Sequence, residues 1–561
     1  MINRMTSAVH RFLPAVLPVL LALAVYGGAG RLGFVNLDDD QYVYENPRVL
    51  GGLTGDDVRW ALTTGHQGVW IPATWISLQA DAARGQGAPA AFHRTNLLLH
   101  LVNVLLVFAL VRSLTGGRWR AAAVAAVFAV HPLNVEAVAW ITARKDLLMA
   151  GWSLAAILCW RLADARWTRP WAWAALACAV VALASKPQAV ALPVAMVLAA
   201  GWRDDDRWTW RALGRDVLAV LPFFALAAGA AVTAVKLAHG EAFGAITPVP
   251  FGERFADGVG FLWRHVVKLA YPSPLAPVYP VAHLHTAPAW AGALAFLAFS
   301  IGRQAVVMRR RWPALAFGWL WFVAWIIPTL GLVQGGQLPM GDRYTYVAMI
   351  GILVVVADAG AAAMNRRRAT AAPLAILLVV VVVLGGWQAR RQLAWWKDPV
   401  SLWTHTLAVT RDNALAHQNL AVVLDEQGRS AEALGHLEAA LAIRPQSRTH
   451  YNAGNALLNL GRSAEAEEQY RQALALNPGL VEAALNLGSL LGAQGRLDEA
   501  RTVLRQAEQR APDFAPLQFN LGLVAWLAGD TAEARARCER TLALDPSHAK
   551  ARELLGQLPP R

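Results

Sequence analysis

Residues 451–478 read YNAGNALLNLGRSAEAEEQYRQALALNP, and this stretch is one unit of a repeat that fills the last third of the chain. Glycine, asparagine and proline each recur every 33 or 34 residues, at Gly428, Gly461, Gly495, Gly529, Asn419, Asn452, Asn486, Asn520, Pro445, Pro478, Pro512 and Pro546. A period of this length is typical of helical solenoids, in which each repeat packs on its neighbours. The sequence therefore predicts an all-α array in its C-terminal part.

The unit resembles the tetratricopeptide repeat, which has two antiparallel helices, small residues where they touch, glycine at the turn and proline ending the second helix. Four consecutive units match, so the predicted repeat domain spans 399–556, with the helix around 399–409 and the tail after Pro546 as caps. Such an array can be a packing scaffold or a concave groove for an extended peptide or partner protein. We favour the groove, because function in these folds lies on exposed faces.

Residues 1–390 have the composition of a membrane domain. The chain of 561 residues is 56% hydrophobic and only 16% charged, whereas a soluble protein has about 25% charged residues. Eleven apolar segments are candidate spans, at roughly 12–30, 94–113, 119–133, 146–162, 170–185, 187–202, 215–236, 286–302, 312–333, 344–363 and 371–387. The fold class predicted is an all-α polytopic membrane domain followed by an α-solenoid, with the first span retained as an anchor.

Arginine clusters predict the orientation of these spans. The clusters share one side of the membrane if eleven segments cross; they comprise Arg112, Arg118, Arg120, Arg161, Arg166, Arg169, Arg203, Arg207, Arg211, Arg215, Arg303, Arg309, Arg310, Arg311, Arg366, Arg367 and Arg368. The net charge of +13 would suit a nucleic-acid partner, but the arginines lie in short clusters between apolar segments and not on one face. We therefore interpret them as topology signals and predict no nucleic-acid partner. The chain is predicted in the inner (cytoplasmic) membrane, with the first loop (31–93) and the repeats outside the cytoplasm.

Segment 251–271 must not cross the membrane if this orientation holds. It is apolar but also carries six charged or titratable residues, namely Glu253, Arg254, Asp257, Arg264, His265 and Lys268. Such a load favours an interfacial or cavity-lining helix over a lipid-facing span.

Asp38, Asp39 and Asp40 form an acidic triple a few residues after the first span. They have no basic neighbour within six residues, whereas the triple 204–206 lies between Arg203 and Arg207 on the cytoplasmic side. Adjacent carboxylates beside a bilayer repel one another and resist burial, so they need a cation, a basic partner or a chemical task. We therefore interpret 38–40 as a functional site.

Other acids of the first loop have a structural explanation. Thr54 is placed to cap a helix, with Asp56 and Asp57 in its first turn, where the helix dipole favours negative charge. The three cysteines have neither disulfide nor metal-finger spacing and predict no function.

Eight motifs resemble the bacterial relatives of the eukaryotic transmembrane and tetratricopeptide-repeat O-mannosyltransferases, which belong to the GT-C class of glycosyltransferases. They are Phe34-Val35-x-x-Asp38-Asp39-Asp40-x-Tyr42, Asn46-Pro47, Trp70-Ile71-Pro72-x-Thr74-Trp75, His93-x-x-Asn96-x-x-x-His100, His131-Pro132-x-x-x-Glu136, Ala143-Arg144-Lys145-Asp146, Gly331-Leu332-Val333-Gln334 and Asp342-Arg343-Tyr344-Thr345-Tyr346. The resemblance implies a membrane enzyme that moves a sugar from a polyprenyl-phosphate carrier to an acceptor hydroxyl outside the cytoplasm. Mannose is implied by the eukaryotic relatives alone.

The resemblance also implies an acidic catalytic group in the first outer loop. A carboxylate can accept the proton of a Ser or Thr hydroxyl as that oxygen attacks the anomeric carbon, and a single displacement inverts this centre. Asp39 and Asp40 are the first choices, although the sequence does not rank them against Asp38. The neighbouring acids could orient the base, shift its pKa or hold a divalent cation, which is the one cofactor left open.

Basic residues of the outer face are candidates for binding the lipid phosphate of the donor. Arg144 and Lys145 precede one span and Arg343 precedes another, so their groups could hold a leaving phosphate. Snorkelling at helix ends, or ion pairs with Asp146 and Asp342, would explain them equally well. Predicted supporting residues are His131, Glu136, Asp342 and Tyr344.

Two other functions are compatible with the sequence. The chain could be a non-catalytic scaffold in the bilayer that binds envelope proteins through its repeats, or a transferase acting on glycolipid or polysaccharide. The leading prediction is transfer to a protein acceptor that the repeats recruit.

Overall fold

The computed structural model describes residues 2–202, 210–241, 250–280, 298, 300, 313–332 and 340–559. This described part is helical and contains no β-strand, so the predicted all-α class is confirmed. The chain divides into two compact units, Met1–Thr410 and Arg411–Arg561. The division assigns the helix Pro399–Val409, predicted to cap the repeats, to the first unit.

The α-helices of the first unit are α1 (Ile2–Tyr26), α2 (Pro47–Leu50), α3 (Gly55–Thr63), α4 (Pro72–Gly85), α5 (Pro89–Thr115), α6 (Arg118–Val130), α7 (Val135–Ala139), α8 (Arg144–Leu162), α9 (Pro170–Leu183), α10 (Leu192–Gly201), α11 (Trp210–Ala219), α12 (Leu221–Glu241), α13 (Phe251–Ala270), α14 (Pro313–Ile326), α15 (Thr345–Arg366), α16 (Ala371–Ala394) and α17 (Pro399–Val409). Those of the second unit are α18 (Ala414–Glu426), α19 (Ser430–Ile443), α20 (Ser447–Asn459), α21 (Ser463–Leu476), α22 (Val481–Ala493), α23 (Leu497–Glu508), α24 (Ala515–Leu527), α25 (Thr531–Leu544) and α26 (Ala549–Gln557).

Several helices of the first unit are long and apolar enough to cross a membrane. Within the described residues there are four such helices, or six if each of two bent pairs is one span; they are Phe12–Arg31, Pro89–Thr115, Asp342–Arg366, Arg368–Ala394 and the pairs Arg118–Val130 with Pro132–Ala139 and Arg211–Ala219 with Leu221–Leu237. Shorter apolar helices lie at Pro170–Leu183, Pro187–Gly201 and Ala314–Thr329. The chain is therefore a multi-pass membrane protein.

Some predicted features lie outside the described residues. They are the span 286–302, the cytoplasmic acids 204–206 with Arg203 and Arg207, the basic cluster formed by Arg303 and 309–311, and residues 333–339 with Gln334. The number of eleven spans and their orientation accordingly stay predictions.

Helix α13 has the character expected for segment 251–271. It is not among the helices apolar enough to cross a membrane. It buries Asp257 and His265, whereas Phe251, Trp263 and the adjacent Tyr271 are exposed. Buried polar groups together with exposed aromatic rings are typical of a helix that lies at the membrane interface.

A break between α6 and α7 brings polar residues into the interior. The two helices meet at 56° around His131-Pro132, because proline lacks the N–H needed to continue the helix. A 3-10 turn, Ile141–Ala143, then leads into α8. Every residue from His131 to Arg144 is buried, so this connection forms the floor of the region described below.

The first loop (31–93) contains a small hydrophobic cluster around Trp75, which is fully buried together with Val43, Val49 and Ile71. Thr54 caps α3, since its Oγ1 accepts from the Asp57 backbone N–H at 3.2 Å. The predicted capping role of Thr54 is confirmed.

The second unit consists of helix hairpins in the predicted order. Gly428, Gly461, Gly495 and Gly529 lie at the hairpin turns with φ between 74° and 81°, a conformation that favours glycine. Within the hairpins, a Cβ on Gly454 would come within 2.5 Å of the Tyr470 ring, and one on Gly488 within 2.6 Å of Leu504. Small residues therefore lie where the helices touch, as predicted.

Candidate functional site

Asp39 anchors the turn that carries the acidic triple (38–40) to the buried connection between His131 and Arg144. Its Oδ1 accepts hydrogen bonds from Thr142 Oγ1 at 2.7 Å and Thr142 N at 3.1 Å, and its Oδ2 accepts from Val35 N at 3.1 Å. The side chain is fully buried, and burial raises the pKa of Asp39 to about 7 although all three donors oppose the shift. Because both oxygens are occupied by the protein, Asp39 has the geometry of a positioning residue.

Asp38 is the accessible acid of the triple. Its side chain is 40% exposed, and its Oδ2 lies 3.9 Å from Lys145 Nζ. Partial burial raises the pKa of Asp38, while the charges of Lys145 and Arg343 oppose the shift. The residue is thus a carboxylate that a substrate can reach, next to a cation.

Asp40 begins a π-helical turn, Asp40–Tyr44, that follows these two residues. Its Oδ1 is buried and has no hydrogen-bond partner among the described residues. The three adjacent carboxyl groups therefore face three different surroundings.

Cations and aromatic rings alternate beside Asp38. Lys145 Nζ lies 4.6 Å from the centre of the Tyr42 ring and 5.3 Å from that of Trp140. Arg343 Cζ lies 4.9 Å from the same Trp140 ring and 4.8 Å from that of Tyr344. The structure thus brings together two regions that are about 200 residues apart in the chain, and Trp140 separates the two charges.

Lys186 is a third cation next to these rings, on the Tyr344 ring that Arg343 also contacts. Its Nζ lies 5.0 Å from the centre of the Tyr344 ring and 2.5 Å from Asp146 Oδ1. Burial lowers the pKa of Lys186 to about 8, although Asp146 opposes the shift. The sequence analysis did not select Lys186, although a lone lysine between two apolar segments is itself a signal.

Arg343 forms an ion pair with Glu136, but one of its guanidinium N–H groups has no hydrogen-bond partner among the described residues. Glu136 accepts hydrogen bonds from the Arg343 guanidinium and, at 2.9 Å, from its backbone N–H. The Nη2 group approaches the Tyr344 hydroxyl at 3.3 Å. The Nε of Arg343 and the Nε1 of Trp140 are buried N–H donors without a partner among the described residues. Both residues contact the same cluster as Lys145, and unpaired buried donors of this kind call for an explanation.

Arg144 is placed differently from its neighbour Lys145. Its guanidinium is fully buried and donates to Asn96 Oδ1 at 2.5 Å, Ser77 Oγ at 2.9 Å and Phe92 O at 2.7 Å. Asp81 Oδ2 lies 2.7 Å from Nη2. Protein groups therefore occupy every nitrogen of Arg144, and its placement indicates a structural tie between α4, α5 and α8.

Asp342 is held in a second cluster next to Arg343. The Tyr279 hydroxyl donates to both its carboxylate oxygens, at 3.0 and 2.9 Å. Lys268 Nζ in turn donates to Tyr279 at 2.8 Å and lies 4.0 Å from Asp342. This cluster fixes the turn that carries Arg343 and Tyr344.

His131 has partners at both ring nitrogens. Its Nδ1 accepts from Leu133 N at 3.3 Å, and its Nε2 lies 3.2 Å from Leu269 O at the end of α13. The residue therefore ties the α6–α7 break to α13 and does not face Asp38 directly.

The aspartates were also considered as ligands of a divalent cation. Within the described parts of the chain, no group of three His, Cys, Asp or Glu side chains could hold a metal ion. Asp39 in particular has both oxygens in hydrogen bonds with Thr142 and Val35.

Comparison with known proteins supports both parts of the sequence prediction. The tetratricopeptide repeat family matches residues 401–448, 451–516 and 518–558. Over 161 residues the chain is 34% identical to the protein O-mannosyl-transferase Tmtc2 of Drosophila melanogaster, covering 27% of this chain and 16% of that protein. It is 34% identical to Tmtc1 of the same organism over 149 residues, covering 25% and 17%. The predicted relationship to these transferases is thus confirmed, over about a quarter of the chain and a sixth of theirs.

A mouse relative, the protein O-mannosyl-transferase TMTC1 of Mus musculus, is 32% identical over 151 residues, covering 24% of this chain and 16% of that protein. Two solved structures are also similar. MamA (residues 41 to the end) from Desulfovibrio magneticus RS-1 matches at 25% identity and a TM-score of 0.25, covering 26% of this chain and 84% of MamA. YrrB is described as a tetratricopeptide-repeat protein with an unusual peptide-binding site. It matches at 22% identity and a TM-score of 0.25, and the match covers 35% of this chain and 96% of YrrB.

Proposed function

We propose that the protein is a GT-C type glycosyltransferase that moves a sugar from a polyprenyl-phosphate carrier to a Ser or Thr hydroxyl of a protein acceptor. The reaction takes place on the extracytoplasmic face of the inner membrane, and the repeats recruit the acceptor. One observation carries this proposal: the accessible Asp38 carboxylate lies 3.9 Å from Lys145, beside buried Arg343 and Trp140 N–H donors that have no partner among the described residues.

Asp38 is the base in this reaction. Its carboxylate takes the proton of the acceptor hydroxyl while the hydroxyl oxygen attacks the anomeric carbon. The bond between that carbon and the phosphate oxygen breaks, and its electron pair leaves with the polyprenyl phosphate. One displacement inverts the anomeric centre. Asp38 replaces Asp39 and Asp40 as first choice. Asp39 is engaged by Thr142 and Val35, and the Oδ1 of Asp40 is buried.

Lys145 and Arg343 hold the departing phosphate. The nearest carboxylate oxygen to Lys145 Nζ, that of Asp38, is beyond hydrogen-bond distance at 3.9 Å, so its N–H groups can turn to a ligand. Preorganised donors of this kind stabilise charge that develops on a leaving group. Arg144 is left out of this set because its guanidinium is enclosed by Asp81, Asn96, Ser77 and Phe92.

The repeats supply the surface for the acceptor. In the described repeats, polar side chains recur on the first helix of each hairpin: Asn486 Nδ2 donates to Asn455 Oδ1 at 2.8 Å, and Asn520 Nδ2 donates to Ser489 Oγ at 2.9 Å. A periodic row of amides suits an extended polypeptide, whose backbone offers donors and acceptors at regular intervals.

The experiment compares intact masses of envelope proteins and glycolipids from cells that lack the gene and cells that carry wild type, Asp38→Asn or Asp56→Asn. Asp56 is an exposed acid of the same loop and serves as the matched control. We expect a hexose-sized increment on at least one envelope protein with wild type and Asp56→Asn, and its loss with Asp38→Asn.

Each other outcome argues against the proposal in a definite way. An increment confined to glycolipid would indicate the glycolipid transferase instead. An increment retained by Asp38→Asn would exclude Asp38 as the base, and the absence of any increment would favour the scaffold.

A further inference from the structure

Helix α17 lies on the loop that carries the acidic triple. Trp403 is fully buried, and its Nε1–H donates to Asn36 Oδ1 at 2.7 Å. The segment just before α17 adds a backbone contact, in which Gly33 N donates to Lys397 O at 3.0 Å. The contacted residues, Gly33 and Asn36, precede Asp38 by five and two positions.

Asn36 lies inside the turn that presents Asp38. The Asp39 side chain closes this turn by accepting from Val35 N at 3.1 Å, and Thr142 holds the same carboxylate from below. Trp403 therefore holds the turn at Asn36, whereas Thr142 holds it at Asp39. Two anchors at different points restrict the direction in which Asp38 faces, because one anchor alone would leave the turn free to rotate about it.

Helix α17 also contacts the loop that leads to Tyr279. His405 Nε2 donates to Leu275 O at 3.1 Å, and its ring stacks on Trp395 with centroids 4.7 Å apart. Gln392, at the end of α16, donates to the same Leu275 oxygen at 3.3 Å. Thus one short helix joins the acidic turn to the loop whose Tyr279 binds Asp342.

We propose that α17 is a positioning element of the site and that Trp403 is the residue through which it orients the turn carrying Asp38. The consequence for sugar transfer rests on the proposed function. The positioning itself predicts how strongly the backbone of residues 33–44 is protected from exchange. This protection can be measured whether or not the protein transfers a sugar.

The first measurement is hydrogen–deuterium exchange of the full-length protein in lipid nanodiscs, comparing wild type, Trp403→Phe, Asn36→Ala and the double variant. Phenylalanine keeps the ring and removes only the N–H donor. We expect peptides within 33–44 to exchange about five- to tenfold faster in each single variant, as the loss of one hydrogen bond predicts. The double variant should exchange no faster than Asn36→Ala, because Trp403→Phe removes a bond that Asn36→Ala has already removed.

The matched control is Trp387→Phe, at an exposed tryptophan of the last span. We expect it to leave exchange within 33–44 unchanged. Peptides of α6 and α8, which lie in the core of the same unit, report whether any variant is globally destabilised, and they should exchange as in wild type. Exchange within 33–44 that is unchanged in Trp403→Phe, or equally raised by Trp387→Phe, would overturn the proposal.

The second measurement is sugar transfer by the same variants. With an active wild type, we expect Trp403→Phe to lower kcat about tenfold and to change the KM of the lipid donor less than twofold, since misplacement of a reacting group affects turnover more than binding. Faster exchange with unchanged kcat would overturn the role of the contact in the reaction. An inactive wild type would contradict the proposed function, and the exchange result alone would then decide the positioning.

Discussion

At the scale of single residues, Asp38 and Asp39 are chemically identical but have different surroundings. Asp39 is fully buried under three hydrogen bonds, while the Asp38 side chain is 40% exposed beside Lys145. A base must be reached by its substrate, and a positioning group must not move. The two functions are therefore separable by mutation.

Asp38→Asn is expected to lower kcat by about 10²- to 10⁴-fold, the usual contribution of a general base. The pKa of Asp38 is raised by partial burial, so the wild-type rate should rise with pH to a plateau whose midpoint lies above that of an ordinary aspartate. The pH dependence of kcat/KM measures this midpoint. An unchanged acid limb in Asp38→Asn would contradict the assignment, and Asp56→Asn provides the control.

Asp39→Asn is expected to change how stability depends on pH. Burial raises the pKa of Asp39 to about 7 from its ordinary value of 3.8, so between these values the folded protein binds more protons than the unfolded one. The contribution of Asp39 to the free energy of unfolding is therefore fully present below pH 3.8 and is lost as pH rises through 7.

Denaturation of purified wild type and Asp39→Asn at several pH values between 4 and 8 measures this effect. We expect wild type to lose stability relative to the variant as pH rises through this interval. The variant should also be less stable at the acid end, by about 1–3 kcal/mol, because it leaves the Val35 N–H without its acceptor. A difference between the two proteins that is independent of pH would contradict the raised pKa.

At the scale of elements, breaks in helices decide where polar groups lie. The 56° bend at Pro132 turns α7 so that Glu136 reaches Arg343, and the short turn Ile141–Ala143 brings Thr142 to Asp39. In the repeats, glycines at the hairpin turns have the same effect on a smaller scale. The bend at Pro132 and the hairpin turns of the repeats occur where a proline or a glycine makes continued helix unfavourable.

Two glycine substitutions in the repeats are expected to act in opposite directions. Gly495 has φ +78° at a hairpin turn, so Gly495→Ala should destabilise the repeats by about 1 kcal/mol. Gly435 lies within α19 with no atom near its would-be Cβ, so Gly435→Ala should stabilise them by up to about 1 kcal/mol. Hydrogen–deuterium exchange of repeat peptides at increasing urea concentration measures both. Equal signs would contradict the assigned turn geometry.

At the scale of the whole molecule, the proposal requires that the acidic loop and the repeats face the same compartment. The arginine clusters predict this orientation. Among the described residues, Asp38, Lys145, Lys186 and Arg343 come together in one cluster. The predicted topology assigns all four to the outer face.

Cysteine labelling of intact cells tests this orientation. Asp56→Cys and Asp498→Cys are expected to react with a membrane-impermeant maleimide, whereas Arg166→Cys and Arg367→Cys should react only after permeabilisation. All four positions are exposed. The native cysteines are replaced by serine to provide the background. Protection of Asp498→Cys in intact cells would separate the repeats from the acidic loop and contradict the proposed recruitment of the acceptor.

The sequence by itself determined the features that depend on local pattern. Helical periodicity, apolar length and a 33- or 34-residue repeat are properties of adjacent residues, so the all-α class, the membrane unit and the turn glycines could be predicted. The acidic triple of the first loop could be selected as a candidate site for the same reason, because uncompensated charge beside a bilayer is visible in one short stretch.

Only the tertiary structure decided which of these residues act together. Lys186 joins the cation row and Trp403 reaches Asn36 across long distances in the chain. Arg144 and Lys145 are adjacent in sequence, yet one is enclosed by protein groups while the other lies beside Asp38. Burial and hydrogen-bond saturation depend on neighbours that packing supplies, and a one-dimensional pattern does not contain them. For that reason the sequence could indicate the acidic triple, but the ranking of Asp38 above Asp39 came from the fold.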